Sequence, residues 1–157
     1  MRKYLKLSMI MFMGMILIAC ATSGTICQDI PEGQNSVICM LADKMGTSPE
    51  AMSQILQVAN FVALEKSLYR AVEAQEFVDE IIRDLKGIKE NTITYTEAVN
   101  YVNKKYNILS KEVQAVFIII NPADLATKEI KIPLSEYDIN LLIGHLEKQK
   151  AIIEVYL

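Results

Sequence analysis

Few side chains in this 157-residue chain could carry chemistry. His145 is the only histidine, set among Leu141, Leu142 and Leu146. As a base or a metal ligand it would need partners. Gln149 at i+4 is not one, and no HExxH or ExxH pair occurs. A lone His beside an apolar stripe reads first as structural. Glu73, Glu76, Asp79, Glu80 and Asp84 form an acidic run. Paired carboxylates can do acid/base work or bind cations. Here Asp79 and Arg83 stand at i,i+4, and the spacing reads as a solvated helix face. Tyr95, Tyr101 and Tyr106 with Lys104 and Lys105 suggest aromatic–basic recognition, but Tyr95 and Tyr106 share one helical stripe and read as core. No GxSxG and no glycine-rich phosphate loop is present. No catalytic residue, metal site or cofactor is expected.

Charge narrows the class. Lys+Arg number 16 against 19 Asp+Glu, a net of −3. Arg2, Lys3 and Lys6 fall in the first nineteen residues, which hold no acid. The remainder carries 13 bases against 19 acids, a net of −6. Nucleic-acid binding would need a basic face instead. At 52% hydrophobic the composition is that of a folded chain.

The N-terminus reads as an address. A basic start is followed by the uncharged run Leu7 to Ala19, thirteen residues. That length suits a signal-peptide core and falls short of the roughly 20 residues of a spanning helix. The run ends in Leu17-Ile18-Ala19-Cys20. This resembles the lipobox of bacterial lipoprotein precursors, and the resemblance covers only these twenty residues. It implies a diacylglyceryl thioether on Cys20, cleavage before it, and usually an acylated (palmitate-type) amine. The alternative is an uncleaved N-terminal anchor. Either reading puts the rest of the chain outside the cytoplasmic membrane, in the cell envelope, facing the periplasm or the exterior. Two or more acyl chains would make attachment effectively permanent. Ala21 after the Cys resembles the outer-membrane-sorted class of enteric-type bacteria.

With Cys20 lipidated, Cys27 and Cys39 remain in an oxidising compartment. They are expected to form one disulfide, worth roughly 3 kcal/mol for a loop of this size. Two unpaired thiols are the alternative. A bridge would pin most of the tether, residues 20–35, to the domain. About 25 Å of free reach would remain between Cys20 and Cys27.

The expected elements follow from caps and periodicity. Ser36 opens a helix from Val37 to Met45, stopped by Gly46. Thr47-Ser48-Pro49-Glu50 is a strong start signal. No Gly or Pro interrupts Pro49 to Lys86, and Gly87 ends the stretch. Phe61, Leu64, Leu68, Ala71, Gln75, Val78, Ile82 and Leu85 form a heptad-like seam. Met52, Ile55, Leu56, Ala59 and Val62 lie on another register. One straight helix of this length would measure about 57 Å. A globule of this size is only about 37 Å across. So the stretch, helical throughout, bends near Asn60, splits, or protrudes and pairs. Thr94 to Glu97 is a capping box opening a helix to about Tyr106. Ser110 caps another, Lys111 to about Ile120. Val116 to Ile120 could instead be a buried strand, paired in a hairpin with the alternating residues 128–134. Ser135, with Asp138 three residues on, opens the last helix, whose stripe is Leu142, Leu146, Gln149, Ile153 and Tyr156.

The expected fold is mostly α, a single-domain helical bundle with one long central helix and a short extended hairpin near 116–134. The segments are a signal peptide (1–19), a tether (20–35) and a helical domain (36–157). The function expected is that of a lipid-anchored, non-enzymatic envelope protein acting by contact with another envelope protein, as an adaptor, assembly or exclusion factor. The alternatives are an envelope enzyme or enzyme inhibitor with a site around His145, and a self-associating structural lipoprotein.

Overall fold

A computed structural model describes residues 36–117 and 134–157, together with Cys27, Ile30 and Asn121. Six helices occupy the described residues: α1 (Val37–Lys44), α2 (Pro49–Glu65), α3 (Ala71–Lys89), α4 (Tyr95–Ile108), α5 (Lys111–Val116) and α6 (Glu136–Glu154). The protein is a mostly α bundle. None of these helices is long and apolar enough to cross a membrane. The signal segment and lipobox lie outside the described residues, as do 118–120 and 122–133 of the expected hairpin. Val116 is helical, so no strand begins there.

The start signals act as the chain predicts. Ser48 Oγ accepts the Ala51 amide at 3.2 Å, with Pro49 in the first turn. Thr94 and Glu97 close a reciprocal capping box, and so do Ser135 and Asp138.

The long central helix is not found. The stretch divides at residues 66–70 into α2 and α3, beyond the expected bend at Asn60. Ser67 adopts φ 51°. Its amide donates to the Leu64 carbonyl and the Leu68 amide to the Ala63 carbonyl, each at 2.9 Å. That is a Schellman closure, with Ser in the left-handed position usually taken by Gly. Gly46 (φ 64°) ends α1 in the same way, and Asn91 (φ 56°) ends α3. Gly87 does not stop α3, which runs through it. A Cβ there would lie 2.7 Å from Ile93 Cδ1, so Gly87 admits the returning chain.

Helix α6 is the hub. It runs antiparallel to α3, tied by Lys150 to Asp79 (2.6 Å) and by Lys89 to Asn140 (3.1 Å). Val78, Ile81, Leu85, Leu142, Leu146 and Ile153 belong to the core that includes both helices. Helix α4 lies antiparallel on the other side of α3, where Phe77 meets both Tyr106 and Phe117. Helix α2 runs parallel to α6, as the pairs Ser53–His145, Asn60–Gln149 and Glu65–Tyr156 show.

The expected seam is therefore split. Leu64, Val78, Ile82 and Leu85 are buried, but Phe61 and Leu68 are exposed. The α3 part packs within the chain on α6.

Asp138 joins two helix starts. Its carboxylate receives the Ser36 hydroxyl, the Val37 amide (3.0 Å) and the Ile38 amide (3.2 Å) of α1. It also receives the Ser135 amide (3.3 Å) and hydroxyl (3.0 Å) of its own cap. Asp138→Ala would strand several buried donors at once. We expect it to lower unfolding free energy by roughly 3–5 kcal/mol, read by urea denaturation. A loss under about 1 kcal/mol would show that α1 docks without it.

Candidate functional site

Helix α2 buries polar residues beside the apolar Ala63 and Leu64, and leaves part of its apolar surface exposed. Its buried side includes Ser53 and Asn60, while Ile55, Val58 and Phe61 stay 52%, 49% and 49% exposed. Residues i, i+3, i+4 and i+7 share a helix face, so Ile55, Val58 and Val62 line one outward stripe, with Phe61 beside it. The buried polar residues meet polar residues of α6. Asn60 Nδ2 donates to Gln149 Oε1 at 2.7 Å. Ser53 Oγ lies 2.8 Å from His145 Nδ1. Each pair is incompletely satisfied. Asn60 Oδ1, Gln149 Nε2 and His145 Nε2 are buried and have no partner among the described residues.

His145 is 7% exposed. Burial, with the nearby Lys148 charge, holds its pKa down to about 4, so the ring is neutral at pH 7. Gln57 Nε2 donates to Ser53 Oγ at 3.2 Å, and the hydroxyl shares with His145 Nδ1 a hydrogen bond whose direction the ring tautomer sets. The arrangement is not a nucleophilic relay. The serine is buried, it meets the imidazole through Nδ1, and no carboxylate orients the other nitrogen.

A cavity of about 130 Å³ lies beside this pair, lined by Ile38 of α1, Pro49, Glu50 and Ser53 of α2, and Leu141, Gly144, His145 and Lys148 of α6. It brings His145 together with a carboxylate far away in sequence. Both oxygens of Glu50 are buried and have no partner among the described residues.

The other candidate residues have structural roles. The acidic run is not merely a solvated face. Asp79 reaches Lys150 of α6, not Arg83 on its own helix, and Glu80 pairs with Lys105 of α4 at 3.0 Å. Glu73 accepts the Ser110 amide at 3.3 Å. Asp84 is buried, and desolvation raises its pKa. Tyr106 is core, its hydroxyl donating to the Gln114 carbonyl at 2.8 Å. Lys105 stacks over Tyr101, 5.5 Å from the ring centroid. Among the described residues no three His, Cys, Asp or Glu side chains gather to hold a metal. Cys27 and Cys39 are joined, their Cα atoms 5.7 Å apart.

Sequence reasoning missed Glu50, Ser53, Asn60 and Gly144. The available signal was two polar residues seven apart, Ser53 and Asn60, opposite the i,i+4 pair His145 and Gln149.

The buried imidazole predicts an acid-labile fold. Between pH 6.5 and about 4 the unfolded chain takes up a proton that the folded chain refuses. Stability is therefore fully present above 6.5 and lost as pH falls, the loss approaching roughly 3 kcal/mol. His145→Gln should flatten this limb of the urea-midpoint profile. An unchanged profile would assign the acid sensitivity to carboxylates.

Comparison of the chain with family models, curated proteins and solved structures returned no match, so its function must be argued from this geometry.

Proposed function

We propose that this is a lipid-anchored, non-enzymatic protein of the bacterial cell envelope that works by contact with another protein. The observation that carries the reading is the exposed apolar stripe of α2. A helix that buries Ser53 and Asn60 and offers Ile55, Val58 and Phe61 to the outside keeps its apolar stripe for something beyond the chain. Just past it, Leu68 and Val72 are also about half exposed.

The charge pattern favours a protein partner over a lipid surface. No charged residue occurs from Ala51 to Leu64. An interfacial helix on an anionic bilayer would carry Lys or Arg beside its apolar face, and a domain of net −6 would be repelled. An apolar helix face on the partner is the complementary surface. The Leu17-Ile18-Ala19-Cys20 motif supplies the anchor in this reading. The Cys27–Cys39 bridge keeps the domain close to the membrane.

Two experiments test the two halves. Cys20→Ser should abolish lipid labelling and leave an uncleaved precursor. Normal processing of that variant would exclude the lipoprotein reading. For the contact face, Ile55→Ser with Val58→Ser should keep unfolding free energy within about 1 kcal/mol of wild type. It should also abolish a crosslink that wild type makes to one envelope protein. Ile81→Ala, in the core, should cost about 2–4 kcal/mol by comparison. A large stability loss in the α2 variant with crosslinking intact would overturn the docking face. Sedimentation of the wild-type protein distinguishes a second copy from a different partner.

A further inference from the structure

The helix directions give the described residues two poles. At one, Asp138 of α6 holds the start of α1, and Cys39 of α1 carries the bond to Cys27. At the other, Tyr156 past the end of α6 meets Glu65 at the end of α2, and Glu73 in the first turn of α3 meets Ser110 just past α4. Helix α6, with 19 residues, sets the poles roughly 28 Å apart. Phe61, Leu68, Val72, Ile108 and Val155 all fall at the second pole, each between 47% and 78% exposed. Ile55 and Val58 lead to it along the outward stripe of α2. The apolar surface thus gathers at the end away from Cys27.

Two cations at that pole are unanswered. Lys66 and Arg70 lie in the turn between α2 and α3, on either side of Leu68, and both are exposed. Neither forms an ion pair among the described residues. The acids around them are engaged elsewhere: Glu65 accepts the Tyr156 hydroxyl, Glu73 the Ser110 amide, and Glu154 faces Lys150 at 4.0 Å. The exposed acids Glu76 and Glu112 pair with neither cation. Arg70 is also the N-cap of α3 and makes no side-chain cap bond, whereas the other five described helices open on Ser or Thr. A cation there stands at the positive end of the helix dipole, so the local field adds to its charge. A negative group from outside the chain would relieve both side chains.

We infer that this surface takes an acidic amphipathic helix of a partner protein. Its apolar side lies along Ile55, Val58 and Phe61, and its carboxylates meet Lys66 and Arg70 at the turn. The inference rests on the α2 docking face and adds to it the partner's charge and the place of contact, at the pole away from Cys27. Two other occupants fit the charges or the shape less well. A second copy has no acid to offer from α2, which is uncharged from Ala51 to Leu64. Pairing the copies side by side would set Lys66 and Arg70 against themselves. Pairing them head to tail would set both against Asp43 and Lys44, whose charges cancel. A bilayer is flat, whereas the stripe runs about 15 Å down the side of α2 from the pole to Ile55, so one plane does not meet both.

Fluorescence anisotropy with the full chain in phosphatidylcholine nanodiscs tests the inference, with empty discs as the blank. The probe is a labelled helical peptide of about 18 residues, matched to α2 in length, with Leu along one face and Glu on the other. The controls carry Lys in place of Glu, or Ser in place of Leu. The acidic amphipathic peptide should bind with a Kd below about 100 μM, and each control at least about tenfold more weakly. Lys66→Glu with Arg70→Glu should weaken it at least about tenfold at an unchanged thermal midpoint. Lys44→Glu with Lys86→Glu, exposed cations of α1 and the far end of α3, changes the net charge equally and should stay within about twofold. No binding by wild type, equal binding of the lysine peptide, or unchanged affinity in the Lys66 and Arg70 variant would overturn the inference and leave the apolar face standing. An equal loss in the Lys44 and Lys86 variant would overturn it as an effect of net charge. Binding that survives Ile55→Ser with Val58→Ser would instead remove the α2 face itself from the contact. Capture of phosphatidylglycerol vesicles in place of the peptide, lost in the Lys66 and Arg70 variant, would overturn the protein partner in favour of a membrane.

Discussion

One carboxylate organises the two ends of this fold. Asp138 sits at the start of α6, the helix that touches both α2 and α3, and closes its capping box. The same two oxygens take the first amides of α1, a hundred residues earlier in the chain. Two helix N-termini, each carrying partial positive charge, thus converge on one negative group. That lets α1 pack over the α2–α6 pair with its first turn buried and satisfied. Without it, α1 would be left with apolar contacts such as that of Ile38 in the core.

The α2–α6 contact follows a different rule. Parallel helices here meet through Ser53 and Asn60 on one side and His145 and Gln149 on the other. Such pairs add less stability than aliphatic packing would, and they leave orphaned atoms. Their benefit is register. A slip of one turn would break both hydrogen bonds and strand all four groups. The aliphatic contact between α3 and α6 supplies cohesion, so the protein divides cohesion and alignment between two faces of one helix.

Much of the fold was legible in the sequence. Ser36, Ser48, Thr94, Ser110 and Ser135 all cap as their spacing indicates, because capping is a local interaction between a hydroxyl and amides two or three residues on. The break at Ser67 was not legible, because a left-handed serine leaves no mark that distinguishes it from any other. Nor was the orientation of α2. Periodicity identifies an apolar face but not whether the chain itself covers it. Met52, Ile55, Leu56, Ala59 and Val62 stand on a register of their own, and that Ile55 faces outward while Ser53 and Asn60 face inward becomes evident only once α6 presents His145 and Gln149. The cavity was hidden for the same reason. Glu50 reads as an ordinary first-turn acid, and Gly144 as a weak spot in a helix.

The bond between Cys27 and Cys39 also decides how the domain carries load. A pull on the chain upstream of Cys27 enters α1 through Cys39, the third residue of the helix, by the shorter covalent path. The clasp of Asp138 on Val37 and Ile38 then lies off the line of force. Tension is delivered at Cys39, past the two amides that Asp138 holds, so those bonds are not the first to be pulled. Reduction of the bridge would reroute the same pull through Ser36, straight into that clasp.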